Sequence, residues 1–144
     1  VEHRNPFPKK EEGAVLIPFK HDKTEDGWKL LEDVPFDGKP FIPNIVEFLR
    51  GESCVNGEVM KQRAKELTAN LGQKHAEYLL EHQELIPKEW RGNYYLTFPG
   101  TVWRGSDGNR GVPCLGWSGG GWYLYFGWLE NGWDSYGRLV SLRK

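Results

Sequence analysis

The chain has 144 residues and a net charge of −1, enough for one domain that buries about two-thirds of its unfolded surface. This balance argues against a nucleic-acid partner, which needs a clustered basic face. The absence of a run of about eighteen apolar residues argues against membrane insertion. The hydrophobic share is only 38%, but seven Trp, seven Phe and six Tyr imply a core built on aromatic rings.

Residues Val1 to Glu12 read as a polar, proline-bearing arm, with no secretory signal at its start. Ala14 to Phe19 is a short apolar run ended by proline, expected as an edge strand. Trp28 to Val34 is a weaker strand candidate, and Pro35 to Pro43 is turn-rich. Two helices follow within residues 56–86. Asn56 is expected to cap the first, with Val55 and Met60 as its hydrophobic staple. Met60, Ala64, Leu67 and Leu71 make a one-sided stripe. Asn70 is expected to cap the second helix, which runs through Gln83 and stops before Pro87. His75 and His82 on it read as a solvated face, since neither has a ligand-type partner one turn away. Cys54 and Cys114 read as two small buried hydrophobes, with a disulfide or a thiol pair as the alternative. No Cys-x-x-Cys, His-Glu-x-x-His or Cys/His cluster suggests a metal. Neither a cofactor nor a catalytic set is expected.

Residues 94–142 are β-rich. Tyr94 to Phe98 and Thr101 to Arg104 flank Pro99-Gly100 and are expected as a hairpin. Further strands are expected at Val112 to Trp117, Trp122 to Leu129 and Trp133 to Val140. The whole chain then reads as a single α+β domain.

The informative stretch is Gly121 to Leu129. As a strand, it turns Trp122, Leu124, Phe126 and Trp128 to one face, expected as core, and Gly121, Tyr123, Tyr125 and Gly127 to the other. Tyr and Gly on an outer face suit recognition better than stability: Tyr gives wide contact at low entropy cost and Gly leaves hollows. If the strands share one sheet, that face extends to a patch of Gly105, Ser106, Asn109, Arg110, Gly111, Gly116, Ser118, Asn131, Asp134 and Tyr136. From Arg104 to Leu142 there is no Lys, Gln, Met or His, and Glu130 is the only Glu. Exposed strands ordinarily carry Lys and Glu.

The run from Val112 to Val140, with Gly119-Gly120-Gly121-Trp122 at its centre, resembles the C-terminal variable region of proteins diversified by diversity-generating retroelements. The resemblance implies a C-type lectin fold: a strand, two helices, then short strands. It also implies mutation at template adenines, which turns Asn-type codons into Gly, Ser, Asp, Asn, Arg or Tyr and never into Lys, Gln, Glu, Met or Trp. The Trp residues and Glu130 would be unvaried scaffold. Departures are visible: the family's Gly-Gly-Ser-Trp is Gly-Gly-Gly-Trp here, and the calcium-binding Glu-Pro-Asn and Trp-Asn-Asp motifs of sugar-binding lectins are absent. No calcium site is expected.

The resemblance implies a ligand-display protein whose partner is a protein or a surface glycan. Tyr123, Tyr125 and Tyr136 would be anchors, and Asn109, Arg110, Asn131 and Asp134 hydrogen-bonding groups. Gly105, Gly111, Gly116, Gly121 and Gly127 would be chance occupants, each replaceable within about 1 kcal/mol. The arm or the loop at 35–43 would tether the domain to a particle or cell-surface protein. A fixed carbohydrate-binding module is the alternative. Catalysis is disfavoured: formylglycine-generating enzymes are similar in fold and use a cysteine pair, but nothing here activates Cys54 or Cys114.

Overall fold

Asn56 sets where the first helix begins. In the computed structural model, which describes residues 17–143, its Oδ1 accepts the Val59 amide at 3.0 Å. Helix α1 then spans Gly57–Glu66, with Glu58 in its first turn and Arg63 and Lys65 in its last, charges that complement the helix dipole. The helix ends before the expected stripe does. Thr68 takes a positive φ of 54°, a left-handed turn that few β-branched residues adopt, and Leu67 is left exposed.

Helix α2 spans Gln73–Glu81 and is capped at Gly72, not at Asn70. The Gly72 amide donates to His75 Nδ1 at 3.1 Å, so the imidazole folds back over its own helix start. Phe36 and Phe41 lie against it, at 4.5 and 5.7 Å between ring centroids. His75 is therefore buried, contrary to the solvated face expected for it, whereas His82 is partly exposed.

Burial pushes the His75 imidazole down to about 4, below the ordinary histidine value of about 6.5. The neutral ring is the one that accepts the cap bond, so its stabilisation is complete above pH 6.5. It is lost as pH falls through 6.5 towards 4, about 2–3 kcal/mol by pH 4.5. Urea unfolding at pH 7 and pH 4.5 should show that drop, and His75→Gln should flatten it.

Among the described residues nine short strands form two sheets. They are β1 (Lys29–Glu32), β2 (Pro43–Val46), β3 (Cys54–Asn56), β4 (Tyr95–Thr97), β5 (Val102–Arg104), β6 (Arg110–Ser118), β7 (Gly121–Trp128), β8 (Gly132–Asp134) and β9 (Gly137–Leu142). The main sheet runs β1-β5-β6-β4-β9-β2, with β7 on the other edge of β6, and β3 pairs with β8 separately. β4 and β9 are parallel while the other pairs are antiparallel. With its two helices the domain is α+β.

Three expectations for strands are corrected. First, β4 and β5 form no hairpin. They lie in line along one edge of β6, opposite Cys114–Leu115 and Arg110–Gly111 respectively. The Pro99-Gly100 turn between them docks on the link joining the helices, where Gly100 N–H donates to Leu71 O at 2.8 Å. That detour also accommodates Pro113 in a central strand: its carbonyl accepts Phe98 N–H at 2.9 Å, and its missing donor faces the bulge.

Second, Trp133 to Val140 is not one strand, because the Ser135-Tyr136 turn sends β8 and β9 to different sheets. Third, Ile17 to Phe19 is not strand. The backbone after it is held instead by the buried Glu77 carboxylate, which accepts the Lys20 and His21 amides, each at 2.9 Å. Residues 14–16 and the arm at 1–12 lie outside the described residues. Short β2 and β3 have no hydrophobic alternation to announce them.

Helices cover both faces of the sheet. On one face, Ala76 and Leu79 of α2 pack with Leu96, Leu115, Trp122 and Val140. On the other, Met60 and Ala64 of α1 pack with Val112, Cys114, Leu139 and Trp133. Cys114 is buried but Cys54 is exposed, so only one of the two is the small core hydrophobe expected. Both are free, and burial pushes the Cys114 thiol up to about 11, which keeps it unreactive at neutral pH. Among the described residues no helix is long and apolar enough to cross a membrane.

Candidate functional site

The site is built on the β6–β7 hairpin. Gly119 and Gly120 turn it with φ of 62° and 87°, the left-handed pair that a two-residue hairpin turn requires. Registration is unbroken from Ser118↔Gly121 to Gly111↔Trp128. The expected alternation along β7 is present: Trp122, Leu124, Phe126 and Trp128 share a face with Leu115 and Trp117, while Tyr123, Tyr125 and Gly127 share the other with Gly116 and Cys114.

Alternation does not translate into inside and outside. At the lower end of the hairpin both faces are covered. Trp28 packs edge-on against Phe126 at 5.3 Å and tilted against Trp128 at 5.5 Å. On the opposite face, buried Trp133 lies over Gly127, and a Cβ built there would stand 2.6 Å from its ring. Tyr125 packs against that same core, so it is half-buried rather than outward.

Most of the glycines read as chance occupants are floors for aromatic rings. Gly105 and Gly111 lie under Trp128, each with a prospective Cβ at 3.1 Å from it. Gly116 lies under the Tyr123 ring at 3.0 Å, and Gly137, on β9, under the Tyr95 ring at 2.7 Å. A glycine beneath an aromatic lets the ring lie flat on the sheet, as in aromatic rescue of strand glycines. Gly121 alone among the five predicted positions is open, with nothing nearer than Gln83 Oε1 at 3.8 Å.

At the upper end the face is free. Tyr123 is 47% exposed and Tyr136 66%, the two most exposed aromatic side chains among the described residues. The Tyr123 and Tyr125 rings lie 5.6 Å apart. Ser118 and Asp134 are exposed, and Asp134 Oδ1 accepts the Tyr136 amide at 3.1 Å, which fixes the turn that presents Tyr136. Tyr95 belongs to this face too, although the sequence did not single it out. Its ring reaches the site only through the parallel β4–β9 pairing, where it opposes Gly137, and no local pattern announces that pairing. Burial raises both the Tyr95 and Tyr125 phenols, so both remain protonated donors at neutral pH.

The other predicted residues sit elsewhere. Ser106, Asn109 and Asn131 are exposed, but the loop after β5 lies at the opposite end of β6, about 26 Å along the strand from Ser118. The loop satisfies itself: Asp107 accepts the Asn109 amide at 3.0 Å and its side-chain nitrogen at 3.1 Å. Arg110 is not a free binding group. Its guanidinium pairs with Glu58 on α1 and, at 3.4 Å, with Glu130, which ties the hairpin to the helix. The single expected patch is thus two clusters, and the upper one gathers Ser118, Gly121, Tyr123, Tyr125, Asp134 and Tyr136.

No group of three or more His, Cys, Asp or Glu among the described residues is arranged to hold a metal ion. Comparison with known protein families, with curated proteins and with solved structures finds no significant match.

Proposed function

We propose that this protein is a ligand-display protein of the retroelement-diversified kind on a C-type lectin-like fold, and that its binding surface is the upper tyrosine face. The observation that carries this reading is the exposure of Tyr123 beside Ser118 and Gly121 on the β6–β7 hairpin, whose other positions are tied into the core, and of Tyr136 beside Asp134 on the turn between β8 and β9. Rigid, amphipathic Tyr contacts among small neighbours are what a recognition surface uses. The α+β architecture suits a C-type lectin-like scaffold. Diversification is then confined to positions whose side chains leave the core untouched: 118, 121, 123, 134 and 136. Gly105, Gly111 and Gly127 belong with the scaffold. The partner is a protein surface, gripped by the tyrosines as anchors.

A displayed library randomised at those five positions tests this. Most members should resist proteolysis as the parent does, and selection should yield binders to unrelated proteins, with Tyr123→Ala plus Tyr136→Ala reducing the parent's capture of its own ligand at least tenfold. General loss of folding in the library would overturn the reading. Binding restricted to glycans through the parental tyrosines would favour a fixed carbohydrate module.

A further inference from the structure

The upper tyrosine face holds one charge that the fold leaves unpaired. Between Gly111 and Gly137 the only charged residues are Glu130 and Asp134, and Glu130 is engaged by Arg110. Asp134 is exposed, and no Lys, Arg or His among the described residues forms an ion pair with it. Its Oδ1 accepts the Tyr136 amide at 3.1 Å, which uses one of the carboxylate's about four lone-pair sites. Burial, and then the Asp134 charge, raise the Tyr95 phenol, so the carboxylate stands beside that ring. Arg138, the nearest cation in sequence, is committed elsewhere. Its guanidinium donates to Ser135 O at 2.6 Å and to Gly137 O at 2.9 Å, and faces Glu47 at 3.5 Å.

The tyrosines of this face turn ring surfaces, not edges, to solvent. Cζ, Oη and Cε1 of Tyr123 all lie 3.0–3.1 Å from a Cβ built on Gly116, so the ring lies flat on the sheet and its outer side is free. Tyr136 is more exposed still and sits in the turn that Asp134 fixes. The electron-rich side of a ring attracts a cation, and a carboxylate at its margin adds to the attraction. The chain seats one of its own arginines in this manner. Arg138 Cζ lies 4.3 Å from the centroid of the Tyr94 ring while its Nη2 meets the Glu47 carboxylate.

We infer that the ligand of this copy presents an arginine side chain, whose guanidinium pairs with Asp134 and stacks on Tyr136, while Tyr123 takes the residue beside it. The inference rests on the ligand-display reading and names the partner's chemistry there: a protein segment with an exposed arginine. Arginine suits the site better than lysine, because its planar fork matches a carboxylate and lies flat on a ring. An anionic ligand would be repelled. A neutral one that covered Tyr136 would strip water from Asp134 and supply no counter-charge, which costs affinity. Asp134 is then the residue that gives this copy its preference.

Selection from a displayed library of random peptides, run in parallel on the unaltered protein and on Asp134→Asn, tests this. Asparagine keeps the turn, since its side-chain oxygen can accept the Tyr136 amide, and removes only the charge. Peptides selected on the unaltered protein should carry arginine well above its library frequency, and those selected on Asp134→Asn should not. For a selected peptide, binding should weaken roughly tenfold on Asp134→Asn, on Tyr136→Ala, and when citrulline, uncharged and of the same shape, replaces the arginine. Arginine at its library frequency, among peptides whose binding still needs Tyr123 and Tyr136, would overturn the inference and leave the binding surface standing. Affinity unchanged by both Asp134→Asn and citrulline would do the same. Peptides that bind equally well without either tyrosine, or no bound peptides at all, would overturn the surface and the inference together.

Discussion

Trp103→Ala is expected to cost about 5 kcal/mol, summing the ~3–5 kcal/mol of a buried aromatic and the ~1–3 kcal/mol of an orphaned acceptor. The indole is fully buried and its Nε1 donates to Gln73 Oε1 at 2.7 Å. Gln73 in turn donates from Nε2 to His21 O at 2.7 Å and to Glu77 at 2.9 Å, and its amide reaches Thr101 Oγ1 at 2.8 Å. Thr101 donates to Asp33 at 2.7 Å. One ring thus joins β5, the start of α2 and the segments on either side of β1. Since a domain of this size is stable by only about 5–15 kcal/mol, the alanine variant should lie near the edge of unfolding. Trp103→Phe keeps most of the packing and should lose about 1–3 kcal/mol, mainly for the unpaired Gln73 oxygen. Urea unfolding of the pair separates the two contributions. A loss below 2 kcal/mol for alanine would show that the network is not what holds these elements together.

Gly127→Leu is expected to be comparably harmful, and Gly121→Leu harmless, although both lie on the same face of one strand. At 127 a Cβ would meet the Trp133 ring at 2.6 Å and Cys114 Sγ at 3.3 Å. Neither can move aside: Trp133 is 3% exposed, Cys114 is fully buried, and Tyr95 packs against Trp133 at 6.1 Å. Overpacking a core by one methyl costs about 1–3 kcal/mol, and leucine adds three more carbons. At 121 the side chain enters solvent, where substitutions stay within about 0.5 kcal/mol. Thermal unfolding of the two variants beside the parent should separate them by many degrees. Equal, small losses would restore the view that these glycines are interchangeable occupants of a surface.

How far the sequence speaks can be read from these two glycines. The period of two along β7 was legible, as were the Asn56 cap and the α+β class, because each rests on patterns within a few residues. What lay on top of each face was not. Gly127 and Tyr125 look outward by alternation, yet Gly127 is covered by Trp133, which arrives from another sheet, and Tyr125 packs against the same core. Gly121 and Tyr123, two steps further along, are not covered. His75 misled in the same way: its spacing suits a solvated helix face, while its burial comes from Phe36 and Phe41, more than thirty residues earlier. The Tyr94–Arg104 hairpin was the natural reading of two strands around Pro-Gly. It failed because both strands found a better partner in β6, whose edge is long enough for the two in series. Of the fourteen predicted binding positions, the structure brings the upper six together. It separates the loop at 105–109 from them and commits Arg110 to Glu58 and Glu130. Tyr95 joins the site by a parallel pairing that no local signal could reveal.

The central claim is that selection holds the scaffold fixed while the tyrosine face varies. Sequencing many copies of this gene from its source population, with the flanking DNA, tests it most directly. The account predicts substitutions concentrated at codons 118, 121, 123, 134 and 136, beside an adenine-rich near-copy of the segment, with Gly111, Gly127, Trp122, Trp128 and Trp133 unchanged. A uniform sequence without such a template, or substitutions that fall on the glycines beneath the rings as often as on the exposed positions, would contradict it.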